Sequence, residues 1–308
     1  MAAITAALVK ELRDMTGAGM MDCKKALSAT EGDIQKAVDY LRENGLAKAA
    51  KKSGRVAAEG LARVAINAEG TEAAVVEVNS ETDFVAKNPD FIDFVEKVAE
   101  IALNDPEADC EKCILSCQYG DEGTVSEALT SRIATIGENM SIRRLTKLAT
   151  PGVKYVGYTH GGGRICVIVG LKTDAELAEI TECGKDVAMQ IASMNPKFVD
   201  ESAVDPEYLA HEKEILIAQA QKESPDKPQN IIEKMIQGRL KKSLKETCLT
   251  DQVFVKNSEL SVKQYVDSVA KAIGKSIQVA EMVRYEVGEG LEKREENFAE
   301  EVAKQMKG

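Results

Sequence analysis

The chain has 308 residues, 44% hydrophobic and 30% charged, which is ample for a core and too long for one typical domain, so two or three compact units are expected. Its net charge of −11 weighs against non-specific binding to nucleic acid, because a phosphate backbone rewards dense Lys and Arg. Three further features point to a cytoplasmic protein that neither crosses nor anchors in a membrane: a start without a cationic leader, a longest apolar run at 165–171 that Gly170 interrupts, and an odd count of seven cysteines.

In chain order, Ile4, Leu8, Leu12 and Met15 form one stripe at helical spacing, and Gly17 and Gly19 supply a tight turn. A second short helix is expected near 22–29. Asp33 is placed to cap a third that carries Ile34, Ala37, Val38 and Leu41. The small basic stretch at 47–55 reads as a linker, helical in part. Alternating, Val-rich segments at 61–66 and 73–78, split by Glu69-Gly70, then predict a β-hairpin, followed by a helix over 91–103 with Phe94, Val95, Val98, Ile101 and Ala102 apolar. The same plan returns as a hairpin at 153–158 and 164–171 and a helix over about 175–194. Residues 74–78 with Thr82-Asp83 match 165–169 with Thr173-Asp174, which reads as an internal duplication.

Residues 206–246 carry Leu209, Ile215, Leu216 and Ala220 before the breaker at 224–228. Ile231, Ile232, Met235, Ile236, Leu240 and Leu244 follow it, the pattern of an antiparallel helical hairpin. Strands near 253–255 and 279–287 flank a helix over 262–273, and a closing helix carries Phe298, Val302 and Met306. The fold class is therefore α+β. The expected division is a three-helix bundle at 1–46, a linker at 47–58 and a first core subdomain at 59–149. A second subdomain, at 150–204 and 247–288, is interrupted by the coiled-coil hairpin at 205–246, and a C-terminal module occupies 289–308.

Signatures of covalent chemistry are sparse. With only His160 and His211 there is little from which to build a His-based catalytic site or metal cage. Gly274-Lys275-Ser276 resembles the tail of a phosphate loop, but Val269 stands where that loop needs its first Gly. His160-Gly161-Gly162-Gly163 sits between two strands and reads as a hairpin turn. Cys110, Cys113 and Cys117 could offer thiolates to a soft metal, yet no fourth ligand lies nearby at a recognised spacing, and an apolar stripe in a helix is the simpler reading. No cofactor or metal is expected. Taken on their own residues, 79–86 place Asp83 as a helix cap and Phe84 as a core anchor.

Two segments, Thr16-Gly17-Ala18-Gly19-Met20-Met21-Asp22-Cys23-Lys24-Lys25-Ala26-Leu27 and Glu81-Thr82-Asp83-Phe84-Val85-Ala86, closely resemble the elongation factor Ts family. Ile136-Gly137-Glu138-Asn139-Met140-Ser141-Ile142-Arg143-Arg144 and Arg284-Tyr285-Glu286-Val287-Gly288-Glu289-Gly290 extend the likeness to the end of the core. The resemblance implies a guanine nucleotide exchange factor, not an enzyme, that binds the GTPase elongation factor Tu during translation. It also implies a ubiquitin-associated-like bundle, a duplicated core, a protruding coiled coil and a C-terminal helix. By the same resemblance, Thr82, Asp83, Phe84 and Val85 form a wedge that enters the GTPase, while Arg13, Met20, Met21, Lys24, His160 and Val255 make further contacts. Lys256 departs from relatives that carry an apolar side chain there. Homodimerisation is left open. The competing expectations are a ubiquitin-like or nascent-chain binding module in the bundle, and a metal- or redox-dependent enzyme built on the cysteines.

Overall fold

The computed structural model describes residues 4–223 and 229–292. The hairpin breaker at 224–228 and the closing helix with Phe298, Val302 and Met306 lie outside the described residues. Among these, the chain is mixed helix and sheet, as the α+β expectation requires.

The bundle consists of α1 (Ala6–Thr16), α2 (Met20–Ala29) and α3 (Ile34–Lys52). Thr5 and Asp33 cap α1 and α3 by accepting the backbone N–H groups of Leu8 and Lys36. Val9, Leu12, Cys23, Ala26, Leu27 and Ala37 fill its small interior. One detail differs from expectation. Met15 is exposed and lines a cleft of about 500 Å³, together with Leu41 and Leu46, where the bundle meets the core. Helix α3 runs through 47–52 of the expected linker, because Ala and Lys are strong helix formers and Ala49 packs on the first core.

Strands β1 (Glu59–Ile66), β2 (Ala73–Ser80) and β3 (Met140–Leu148) make an antiparallel sheet in the order β1-β2-β3. Between β2 and β3 come α4 (Pro89–Asn104) and α5 (Val125–Ile136), whose apolar faces bury one side of that sheet around Phe91, Phe94, Val95 and Val98. Strands β4 (Val153–His160) and β5 (Ile165–Thr173) begin a second sheet, backed by α6 (Leu177–Met194). The chain then leaves through the hairpin of α7 (Pro206–Glu223) and α8 (Gln229–Thr247), where Leu216, Ala220 and Ile236 are buried. It returns as a two-stranded ribbon, β6 (Val253–Phe254) and β7 (Asn257–Ser261), then α9 (Val262–Ile273) and β8 (Ile277–Glu286), which completes the order β4-β5-β8. Gly274 ends α9 as a left-handed cap, so Gly274-Lys275-Ser276 closes a helix and does not open a phosphate loop.

The two sheets share an apolar layer made of Val75, Tyr155, Cys166, Ile168 and Tyr285, with helices outside on both. The alternation expected for 73–78 is not matched by burial, because β2 is covered on both faces and is buried along its whole length. The one charged residue in it, Glu77, is fully buried where the two halves meet. Its carboxylate accepts from Arg143, Arg144, Asn79 Nδ2 (3.0 Å) and the Gly288 N–H (2.8 Å). Gly288 has φ 74° and a Cβ there would strike the Ala58 carbonyl oxygen, so this amide donor requires glycine. Arg143 also donates to the Glu289 carbonyl, and Arg144 lies over the Tyr285 ring. Two of the segments that resemble the family thus meet each other at one buried carboxylate.

The cysteine stretch is not helical. Cys113–Ser116 is a short 3-10 turn, Cys117 is buried, and Cys110 and Cys113 are joined by a disulfide. Asp109, Cys110 and Cys113 are a group whose ligand atoms lie close enough for a metal ion. With both sulfurs bonded to each other, neither is a thiolate ligand. The five free cysteines are all buried, and burial pushes the Cys117 and Cys183 thiols up to about 11 and about 12. Denatured, unreduced protein is therefore expected to take up five iodoacetamide groups by mass spectrometry, and seven after reduction. Uptake of seven without reductant would remove the disulfide.

Candidate functional site

The loop after β2 is the most exposed apolar feature of the first half. Strand β2 ends at Ser80, whose hydroxyl donates to the Thr82 carbonyl (3.1 Å). Thr82 is then held from the opposite side: its N–H and its hydroxyl both donate to the Glu138 carboxylate, at 3.0 and 2.7 Å. The Asn139 N–H returns the contact to Glu81 (2.6 Å), and Asn139 Nδ2 donates to the Arg55 carbonyl (2.8 Å). Glu138 reaches this position because Gly137 closes α5 in the left-handed region at φ 92°, turning the chain sharply toward β3.

Beyond Thr82 the chain stands off for two residues. Phe84 is 79% exposed, so it is no core anchor, and Asp83 is exposed and caps nothing: the N-cap of α4 is Asn88, which accepts from the Asp90 N–H. Lys87 Nζ donates to the Asp83 carboxylate at 2.8 Å and lies 5.8 Å from the centre of the Phe84 ring. That hydrogen bond holds the Asp83 carboxyl below its ordinary range. The loop is pinned again at once, since Val85 is buried in the first core and opens a 3-10 turn through Lys87. Of the four residues expected to form a wedge, Asp83 and Phe84 project as a finger and Thr82 and Val85 are held on either side of it. Thr82 and Val85 support it from within. Only Asp83 and Phe84 are presented outward.

The remaining candidates lie on other elements. Met20 and Met21 occupy the first turn of α2 and are 60% and 65% exposed, and Arg13 on α1 and Lys24 on α2 are exposed with them. His160 closes β4 at the surface, its Nδ1 3.0 Å from the Tyr158 hydroxyl, ahead of the expected hairpin turn. Val255 is 46% exposed in the turn from β6 to β7; its N–H donates to Gln190 Oε1 (2.8 Å). Lys256 beside it is tied to Asp186, which also accepts from the Tyr265 hydroxyl (2.7 Å). The candidates lie on several separate elements, and none of them lines the cleft of about 500 Å³ where the bundle meets the core. Residue patterning alone did not single out Glu138. Its signal lay within the Ile136–Arg144 family segment, but its role depends on a contact 56 residues away.

The sequence profile of the family described as Elongation factor TS matches residues 81–289. The chain is 57% identical to an elongation factor Ts of Clostridioides difficile (strain 630), covering all of both chains. It is 52% identical to that of Clostridium novyi (strain NT), over 98% of this chain and 99% of the other. With that of Clostridium perfringens (strain SM101 / Type A) it shares 50% identity over 98% of each.

Proposed function

The chain belongs to the elongation factor Ts family, a family of translation elongation factors, and from that premise we propose that it binds elongation factor Tu in the cytoplasm and promotes release of GDP by contact alone. The observation that carries this reading is the outward Phe84 on a loop fixed at both ends. Among the described residues, no helix is long and apolar enough to cross a membrane. The finer fold readings inferred from the family belong to the same proposal: the ubiquitin-associated type of the bundle, the duplicated origin of the two sheets and the coiled-coil character of α7 and α8. So does the division of the chain at the boundaries given above.

Magnitudes constrain the mechanism. Burying a Phe side chain stabilises a complex by about 1.5–3 kcal/mol. A nucleotide bound at nanomolar affinity is held by about 12 kcal/mol. The finger alone therefore cannot expel it. Met20, Met21, Arg13, Lys24, His160 and Val255 supply the broader interface, which holds the partner while Asp83 and Phe84 favour its nucleotide-poor conformation. Linkage then requires that nucleotide weaken factor binding by the same ratio, so the ternary complex is the species that loses nucleotide quickly.

The test is release of a fluorescent GDP analogue from elongation factor Tu with catalytic amounts of this protein. Many turnovers of release per factor molecule are expected. Release at the unassisted rate would end the proposal.

A further inference from the structure

We propose that Glu138 is a positioning residue for the exchange finger: its carboxylate fixes the root of the loop so that Asp83 and Phe84 are presented in one orientation before the partner arrives. The inference rests on the exchange reading above and adds to it a residue outside the Thr82–Val85 segment, acting through Thr82.

The geometry is specific. Both Glu138 oxygens are engaged by one residue, Oε2 by the Thr82 N–H at 3.0 Å and Oε1 by the Thr82 hydroxyl at 2.7 Å. Both bonds go to a charged acceptor, which makes them stronger than neutral ones. The bond in the other direction, Asn139 N–H to Glu81 Oε1 at 2.6 Å, makes the clamp reciprocal, and Arg55 is ion-paired with the same Glu81. Glu81 and Thr82 are therefore tied to the loop between α5 and β3, while Val85 is locked in apolar packing. With Thr82 and Val85 fixed, only Asp83 and Phe84 lie between the anchors. Without Glu138, Thr82 loses the two hydrogen bonds that hold its amide and hydroxyl, and the finger samples more orientations.

Loss of the clamp has a kinetic signature that general destabilisation lacks. Encounter with the GTPase depends on the broad interface, whereas nucleotide loosening depends on the finger being seated. A loose root adds an ordering cost only to the step in which Phe84 enters. The release rate at saturating factor then falls, while the factor concentration giving half that rate stays constant. A variant that simply unfolds in part does the reverse: the active fraction drops, the half-saturation point rises and the plateau is kept.

The experiment measures fluorescent GDP release from elongation factor Tu across a range of full-length factor concentrations, for the wild type and for Glu138→Ala, Glu138→Gln, Thr82→Val and Phe84→Ala. Glu138→Ala is expected to lower the plateau about tenfold with its half-saturation point within twofold of wild type. Glu138→Gln keeps a carbonyl acceptor and is expected to recover part of the loss. Thr82→Val keeps the amide and loses the hydroxyl, so it is expected to lower the plateau less than Glu138→Ala and to add little to it in the double variant. A Glu138→Ala plateau equal to wild type, or a change confined to the half-saturation point, overturns the positioning role. Phe84→Ala separates the two failures: if it slows release and Glu138→Ala does not, only the clamp is wrong, and if neither slows release the exchange reading itself fails.

Discussion

Replacing Phe84 by Ala is expected to slow factor-stimulated GDP release about ten- to a hundredfold, the factor that corresponds to forfeiting one buried aromatic side chain in the loosened complex. The thermal unfolding midpoint is expected to stay within a degree or two of wild type, because a ring that is 79% exposed contributes little packing to the free protein. Val85 provides the contrast one position along. It is buried in the first core, so Val85→Ala is a core truncation with a stability cost, and a loss of exchange there is expected to track loss of folded protein. The pair separates presentation from support in the same loop. A Phe84→Ala protein that unfolds early, or that exchanges as fast as wild type, would remove the finger from the mechanism.

The largest expected effect on stability is at Glu77. Removing the carboxylate leaves Arg143, Arg144 and the Gly288 N–H without the acceptor that joins the two halves. Breaking a buried pair from one side costs about 3–5 kcal/mol, and the lower end applies here because both guanidiniums are about a quarter exposed and can turn to water. Glu77→Ala is therefore expected to lower the unfolding midpoint by roughly 5–10 °C. Acid should reveal the same group. Burial pushes the Glu77 carboxyl up, but the Gly288 amide, the Arg144 and Asn79 hydrogen bonds and the Arg144 charge together outweigh it and hold it below the ordinary value of 4.5. A carboxyl depressed on folding stabilises the native state above its unfolded pKa, and that contribution is lost as pH falls through the depressed folded value. Wild type should lose stability on acidification below about pH 4.5, and Glu77→Gln should show a flatter acid limb. Parallel acid limbs for the two proteins would assign the acid sensitivity elsewhere.

Glu77 also shows why β3 was illegible as a strand. Arg143 and Arg144 interrupt its apolar pattern, and adjacent arginines are accommodated there by acceptors at Glu286 and Glu289 and by the Glu77 carboxylate on the neighbouring strand, which accepts from both. No window of local sequence contains that partner, which lies 66 residues before Arg143. Helix α5 is hard to read from the sequence for a different reason. Its capping box of Thr124 and Glu127 is a readable start signal, but the 3-10 turns and the disulfide-closed segment before it obscure where regular structure resumes. Conversely, α9 was legible to the residue, because its capping box, strong apolar periodicity and Gly274 all mark the same boundaries.

By itself the sequence determined the class of the fold, the helices and hairpins with clear periodicity and caps, and, through long shared segments, the family. Each of these depends on short-range spacing or on contiguous residues, which a linear reading contains. Only the tertiary structure decided where each side chain of the Thr82–Val85 segment sits, and it divided the four into two that are held and two that are exposed. The reason is physical: whether a Phe anchors a core or projects from it depends on what the rest of the chain brings alongside. Here that is Glu138 below the loop, the first core around Val85, and open solvent around Phe84.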